Sequence, residues 1–158
     1  RHVEGGALLI DETQRLALFD TPGLEDSIAL LHILDSYSNH TNCDGIVRLQ
    51  QFLNHLVDYP ELQQEAKVLR AVLNNDIIFY VIDLREPILG KYLDELKILS
   101  YAAKPVIPVL NFTVQGAHNI EPWKQQLARL NFHAFVAFDN VNFKFSDELK
   151  IYQKMQYL

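Results

Sequence analysis

The chain has 158 residues, 49% of them hydrophobic and 22% charged, with a formal net charge of -6, a balance that supports one domain with a real core and argues against the basic footprint of a phosphate-backbone binder. The longest apolar run, Ile77 to Ile82, is far shorter than the roughly 20 residues of a membrane span, and no charged-then-apolar targeting segment opens the chain. The single cysteine, Cys43, makes no internal disulfide and fits a reducing, cytoplasmic compartment.

The pattern opens with a paired-strand signal: Ala7 to Ile10, a polar connection over Asp11 to Arg15, then Leu16 to Phe19. This predicts a β-hairpin. Three stretches with helical spacing follow: Leu24, Ile28, Leu31; then Leu49, Phe52 or Leu53, Leu56; then Leu62, Ala66, Leu69, Leu73. Breaks fall at Ser38 to Gly45 and at Tyr59-Pro60. Ile77 to Ile82, β-branched and aromatic throughout, reads as a strand covered on both faces, ending at Asp83. Strict exchange then sets in: helix 90–102, strand 106–110, helix 122–130 with Pro122 in its first turn, strand 134–138, and a last helix over 146–158 capped by Ser146. Such alternation predicts right-handed βαβ units and a mostly parallel sheet, an α/β fold.

One segment states a chemistry. Leu16 to Phe19 runs into Asp20, Thr21, Pro22 and Gly23, a strand that stops on a carboxylate with glycine three residues on. P-loop GTPases use this arrangement to place a magnesium-facing acid and a backbone N–H aimed at a γ-phosphate. A strand followed by a Pro-Gly turn accounts for the same residues without any chemistry. The phosphate-cradling GxxxxGK(S/T) does not occur: the one Gly-Lys pair, Gly90-Lys91, has Arg85 where the first glycine belongs and Tyr92 where the hydroxyl belongs.

Other candidates are weaker. His40, Cys43 and Asp44 share a polar loop but lack a second ligand pair at zinc-site spacing. His2, His32, His55, His118 and His133 form no HExxH arrangement. Trp123 reads as a packing residue, and Tyr152, Met155 and Leu158 as a helical stripe in a core or domain contact. Glu25 and Asp26 read as first-turn acids of a helix.

Beyond single motifs, Arg1 through Gly23, with its Glu4-Gly5-Gly6 approach to the hairpin and its Phe19-Asp20-Thr21-Pro22-Gly23-Leu24 ending, resembles the second and third strands of Era-like GTPases of the translation-factor class. Val81-Ile82-Asp83-Leu84-Arg85-Glu86-Pro87 is similar to the end of their fourth strand, where valine-aspartate-x-arginine-x-proline recurs. Pro105 to Asn111 resembles the fifth strand leading into the guanine-reading motif. Within that class the chain looks closest to bacterial Era-like GTP-binding proteins with an additional uncharacterised C-terminal domain.

The resemblance implies a three-layer P-loop NTPase (G-domain) fold, with the hairpin at the N-terminal edge of the sheet and residues 1–158 forming a single G-domain-like fragment. Residues 24–75 then form a helical switch-II and insertion region, longer than that of small GTPases and a candidate surface for a protein partner. Asp20 is implied to bind magnesium, through a water, and Thr21, Pro22, Gly23 and Asn111 to bind GTP or GDP. A hard dication needs only such a carboxylate beside phosphate oxygens and water. Two departures carry consequences. Asn111-Phe112-Thr113-Val114 keeps the asparagine of the Asn-Lys-x-Asp motif but not its lysine or acid, which predicts reduced guanine preference. Leu24 stands where Ras-like proteins place a water-orienting glutamine, which predicts slow intrinsic hydrolysis, and no catalytic residue is assigned.

The first strand and phosphate loop of such a domain are absent from the sequence. Residues upstream of Arg1 carrying them are expected in the intact protein, since in the family that strand lies between the third and fourth. The resulting expectation is a GTP-binding protein with magnesium-dependent GTP hydrolysis in its intact form, the fragment being inactive alone. Ribosome or RNA binding enters only by family analogy. The alternatives are a non-hydrolysing interaction module on a degenerate G-domain scaffold, and an unrelated phosphotransferase using Asp20 as nucleophile, with Pro22 where its second aspartate belongs.

Overall fold

The computed structural model describes residues 4–9, 15–39, 44–139 and 153, and the chain forms two compact units, Arg1–Asn75 and Asp76–Leu158. The predicted final helix, except for Gln153, lies outside the described residues, as do His2, the hairpin connection over 11–14, His40, Cys43, Tyr152, Met155 and Leu158. No helix among the described residues is long and apolar enough to cross a membrane.

In the first unit, β1 (Glu4–Leu9) and β2 (Arg15–Asp20) pair antiparallel, in register from Leu9 opposite Arg15 to Glu4 opposite Asp20. The hairpin forms as predicted, with β1 starting three residues before the expected Ala7 and β2 one residue longer at each end than Leu16 to Phe19, while Ile10 lies outside the described residues. Among the described residues it is a two-stranded sheet of its own, where the resemblance implied the edge of a larger sheet.

Three helices follow: α1 (Ser27–Ser36), α2 (Gly45–Asn54) and α3 (Gln63–Asn74). The Asp26 side chain caps α1 by accepting from the Ala29 N–H at 2.9 Å. Ser27, Leu30 and Leu34 face inward, whereas Ile28, expected on the core stripe, is 66% exposed. In α2 the expected stripe holds, with Leu49 and Phe52 buried and Leu56 buried just beyond it. The break at Tyr59-Pro60 is two 3₁₀ turns, Leu56–Asp58 and Pro60–Leu62, with the Tyr59 ring 5.9 Å from that of Phe52. Leu62, Ala66 and Leu69 are buried as expected, joined by Val68, Val72 and Glu65.

The second unit alternates β3 (Ile78–Asp83), α4 (Gly90–Ser100), β4 (Val106–Asn111), α5 (Ile120–Arg129) and β5 (Val136–Ala137). Its parallel sheet has the order β3-β4-β5, so the chain is α/β with a parallel sheet and helices. Ile82, Leu84, Leu96, Leu110, Trp123 and Leu127 form the core. The strand covered on both faces is β4, buried from Ile107 to Leu110; β3, for which that coverage was expected, leaves Val81 62% exposed. Position explains the difference, because among the described residues β4 is central and β3 pairs on one side only.

Pro108 explains why β5 is shorter than the predicted 134–138. The Leu110 carbonyl accepts from the Phe138 N–H at 2.9 Å, so residue 110, and with it residue 108, turns its backbone polar groups toward β5. Proline has no N–H to donate there. The β4-to-β5 ladder therefore begins at Val109 opposite Val136.

Candidate functional site

β2 delivers Asp20 as its last residue, and that side chain is exposed, as is Gly23, while Thr21 and Pro22 are half-buried. Gly23 has a negative φ, and a Cβ built on it would meet nothing within 4 Å. Neither conformation nor packing therefore calls for glycine at this position.

The segment after Gly23 is held from a distance in sequence. The Glu65 Oε1 accepts from the backbone N–H groups of both Glu25 and Asp26, each at 2.9 Å, and the Gln64 amide donates to the Gly23 carbonyl at 3.1 Å. Glu65 is 1% exposed, and two N–H donors are what make a carboxylate tolerable there. Sequence reasoning missed Glu65. The available signal was an acid among Leu62, Ala66 and Leu69 on the apolar face of α3.

In the second unit, chemistry collects at the carboxyl ends of the parallel strands. Asp83 ends β3 and Asn111 ends β4, and the two are paired in register. The Asp83 carboxylate accepts from the Arg85 backbone N–H at 2.9 Å and from its guanidinium at 3.0 and 2.7 Å. Those Arg85 bonds hold the Asp83 carboxyl below its ordinary range, against a smaller opposing effect of burial, and the same pairing raises the guanidinium. The Arg85 guanidinium lies over the Phe112 ring, 3.5 Å from its centroid.

Asn111 Oδ1 accepts from the Phe112 N–H at 2.8 Å, and Phe112 has φ 57, a left-handed conformation uncommon for a bulky side chain. Buried Asp139, just past β5, receives the Thr113 hydroxyl at 3.1 Å and the Val114 N–H at 3.2 Å on Oδ2. Asp139 was not singled out from sequence, because it meets residues 113 and 114 only through the β4-β5 pairing. Trp123 is a core residue, as expected.

Asp20, Thr21, Pro22 and Gly23 thus belong to one segment of the first unit, and Asn111 to the second. Among the described residues no group of three or more His, Cys, Asp and Glu side chains is placed to hold a metal ion. The donor set at Asp20 fits a hydrated dication shared with phosphate oxygens, and does not fit a protein cage. At positions 112 and 114, phenylalanine and valine offer no carboxylate to a base.

A family model for a domain of unknown function, DUF3482, matches residues 124–158, beginning inside α5 and including β5. No curated protein and no solved structure matches the chain.

Proposed function

We propose that the chain is the larger part of an Era-like GTP-binding domain, with magnesium-dependent GTP hydrolysis belonging to the intact protein. The observation that carries this reading is that Asp20, Asp83 and Asn111 are each the last residue of a strand, of β2, β3 and β4 respectively. Asp83 and Asn111 thus lie at the carboxyl ends of adjacent strands of the second unit's parallel sheet, where open α/β sheets assemble their sites, and Asp20 ends a strand of the first unit's separate antiparallel hairpin. In this reading Asp20 faces magnesium through a water, Gly23 offers its N–H to the γ-phosphate, Thr21 and Pro22 shape the segment between them, and Asn111 lies on the base side. Magnesium when bound neutralises charge developing on the phosphates. Gly23 supports the assignment, since close approach of a ligand is a reason for glycine where packing and φ supply none.

The match of residues 124–158 to a domain of unknown function overlaps α5 and β5 of the proposed G domain. A cytoplasmic setting and a protein partner for residues 24–75 belong to the same proposal; ribosome or RNA binding rests on analogy alone.

A non-hydrolysing interaction module on a degenerate G-domain scaffold is favoured by a different observation. Positions 111–114 are engaged with the protein itself: Asn111 Oδ1 with Phe112, the Phe112 ring with Arg85, Thr113 and Val114 with Asp139. Titrating a fluorescent GTP analogue, with and without magnesium, against this chain and the full-length protein separates the two. Tight magnesium-dependent binding by the full-length protein supports the GTPase; no binding by either leaves the scaffold. Phosphate release by this chain alone points to the phosphotransferase instead.

A further inference from the structure

We propose that Glu65, assisted by Gln64, is the positioning residue for the backbone of Gly23–Asp26, at the exit of the phosphate-facing segment, tying it to α3 so that occupancy at Gly23 is felt in the helical block. This rests on the nucleotide reading above.

Three hydrogen bonds carry the inference. Two adjacent residues at the start of α3 reach back 39 to 41 positions and fasten the Gly23 carbonyl and the N–H groups of Glu25 and Asp26. None of the three uses the Gly23 N–H, the group assigned to the γ-phosphate. The clamp therefore brackets the C-terminal side of Gly23 while leaving that donor outside it. Asp26 is also the cap of α1, so one carboxylate oxygen sets both the exit of the Gly23 segment and the start of the next helix.

Burial makes the clamp costly to break. A carboxylate 1% exposed that loses both N–H donors is left uncompensated in a low-dielectric site. A shift of residues 25 and 26 toward or away from a bound γ-phosphate thus has two outcomes: α3 moves with the segment, or Glu65 loses its donors. Either outcome couples the nucleotide state to α3. Gly23, with open space around its Cα, is where the backbone can bend.

The test uses the full-length protein, with amide exchange read at residues 25 and 26 and affinities measured for fluorescent GTPγS and GDP in magnesium. Glu65→Ala is expected to abolish protection of both amides and to change the GTPγS-to-GDP affinity ratio about 5-fold or more, the range of ordinary allosteric coupling. Glu65→Gln, which keeps an acceptor oxygen, is expected to restore most of both. If Glu65→Ala fails to fold, Gln64→Ala removes the partly exposed bond to Gly23 and is expected to shift the ratio in the same direction. Lost protection with an unchanged ratio overturns the positioning role while leaving the nucleotide reading intact. Absence of nucleotide binding by the unaltered protein overturns that reading itself, and this inference with it.

Discussion

The carbonyl oxygen of Leu84 occupies the space that a side chain at residue 116 would enter: a Cβ on Gly116 would collide with the Leu84 backbone and Cβ. That carbonyl also accepts from the Asn119 amide at 2.8 Å, and Gly116 donates its own N–H to Phe112 at 2.9 Å. The loop after β4 is thereby pressed against the loop after β3.

Gly116→Ala is expected to destabilise the protein by about 1–3 kcal/mol, because backbone cannot give way as a flexible side chain can. Gly23→Ala, with nothing near its Cα, should fall within about 0.5 kcal/mol of the parent. Urea midpoints compare the two. Equal losses would show that the Leu84 approach is not what constrains residue 116.

Asp20→Asn is expected to leave stability unchanged within about 0.5 kcal/mol, since the side chain is exposed at a strand end. In the full-length protein it should remove most of the magnesium dependence of nucleotide binding. Calorimetric titration with and without magnesium measures this, and retained dependence would take Asp20 out of the metal site.

Glu95 gives a pH signature. Burial raises its pKa, against smaller lowering effects of the Tyr80 hydroxyl, bonded at 2.6 Å, and of Lys91. A folded pKa above the unfolded one means that its stabilisation is complete below the unfolded pKa and is lost as pH rises through the folded pKa. Glu95→Gln keeps an acceptor for Tyr80 but cannot ionise. Its advantage over the parent should therefore grow from acidic to neutral pH, as read by denaturant unfolding at a series of pH values; a difference that is flat with pH would refute the assignment.

Trp123, the chain's single tryptophan, is 1% exposed, and its Nε1 donor has no partner among the described residues. Trp123→Ala should cost about 3–5 kcal/mol. For Trp123→Phe the expected loss is nearer 1 kcal/mol, because removing an unsatisfied buried donor offsets part of the lost packing. In the parent, tryptophan emission should be blue-shifted and report on the second unit.

Legibility followed the physics of each element. The stripes of α2 and α3 were readable because their apolar residues recur at helical spacing with no competing signal. For α1 the buried face runs through Ser27, Leu30 and Leu34 and not through Ile28, because which of two apolar faces packs inward is decided by tertiary contacts that spacing alone does not carry. Composition alone did not distinguish β3 from β4 as the covered strand, because both are apolar and only pairing makes one of them central. Glu65 and Asp139 escaped notice because their partners lie 39–40 and 25–26 residues away.

By itself the sequence determined where the elements lie and which residues end the strands: Asp20, Asp83 and Asn111 follow apolar runs whose length and β-branching set their conformation locally. Tertiary structure decided what those ends meet. Arg85 stacks on Phe112, Asp139 receives Thr113 and Val114, and Glu65 fastens the backbone beyond Gly23. Each of these contacts joins segments that only the packing of helices and the register of parallel strands bring together, and local propensity carries no information about such long-range pairs.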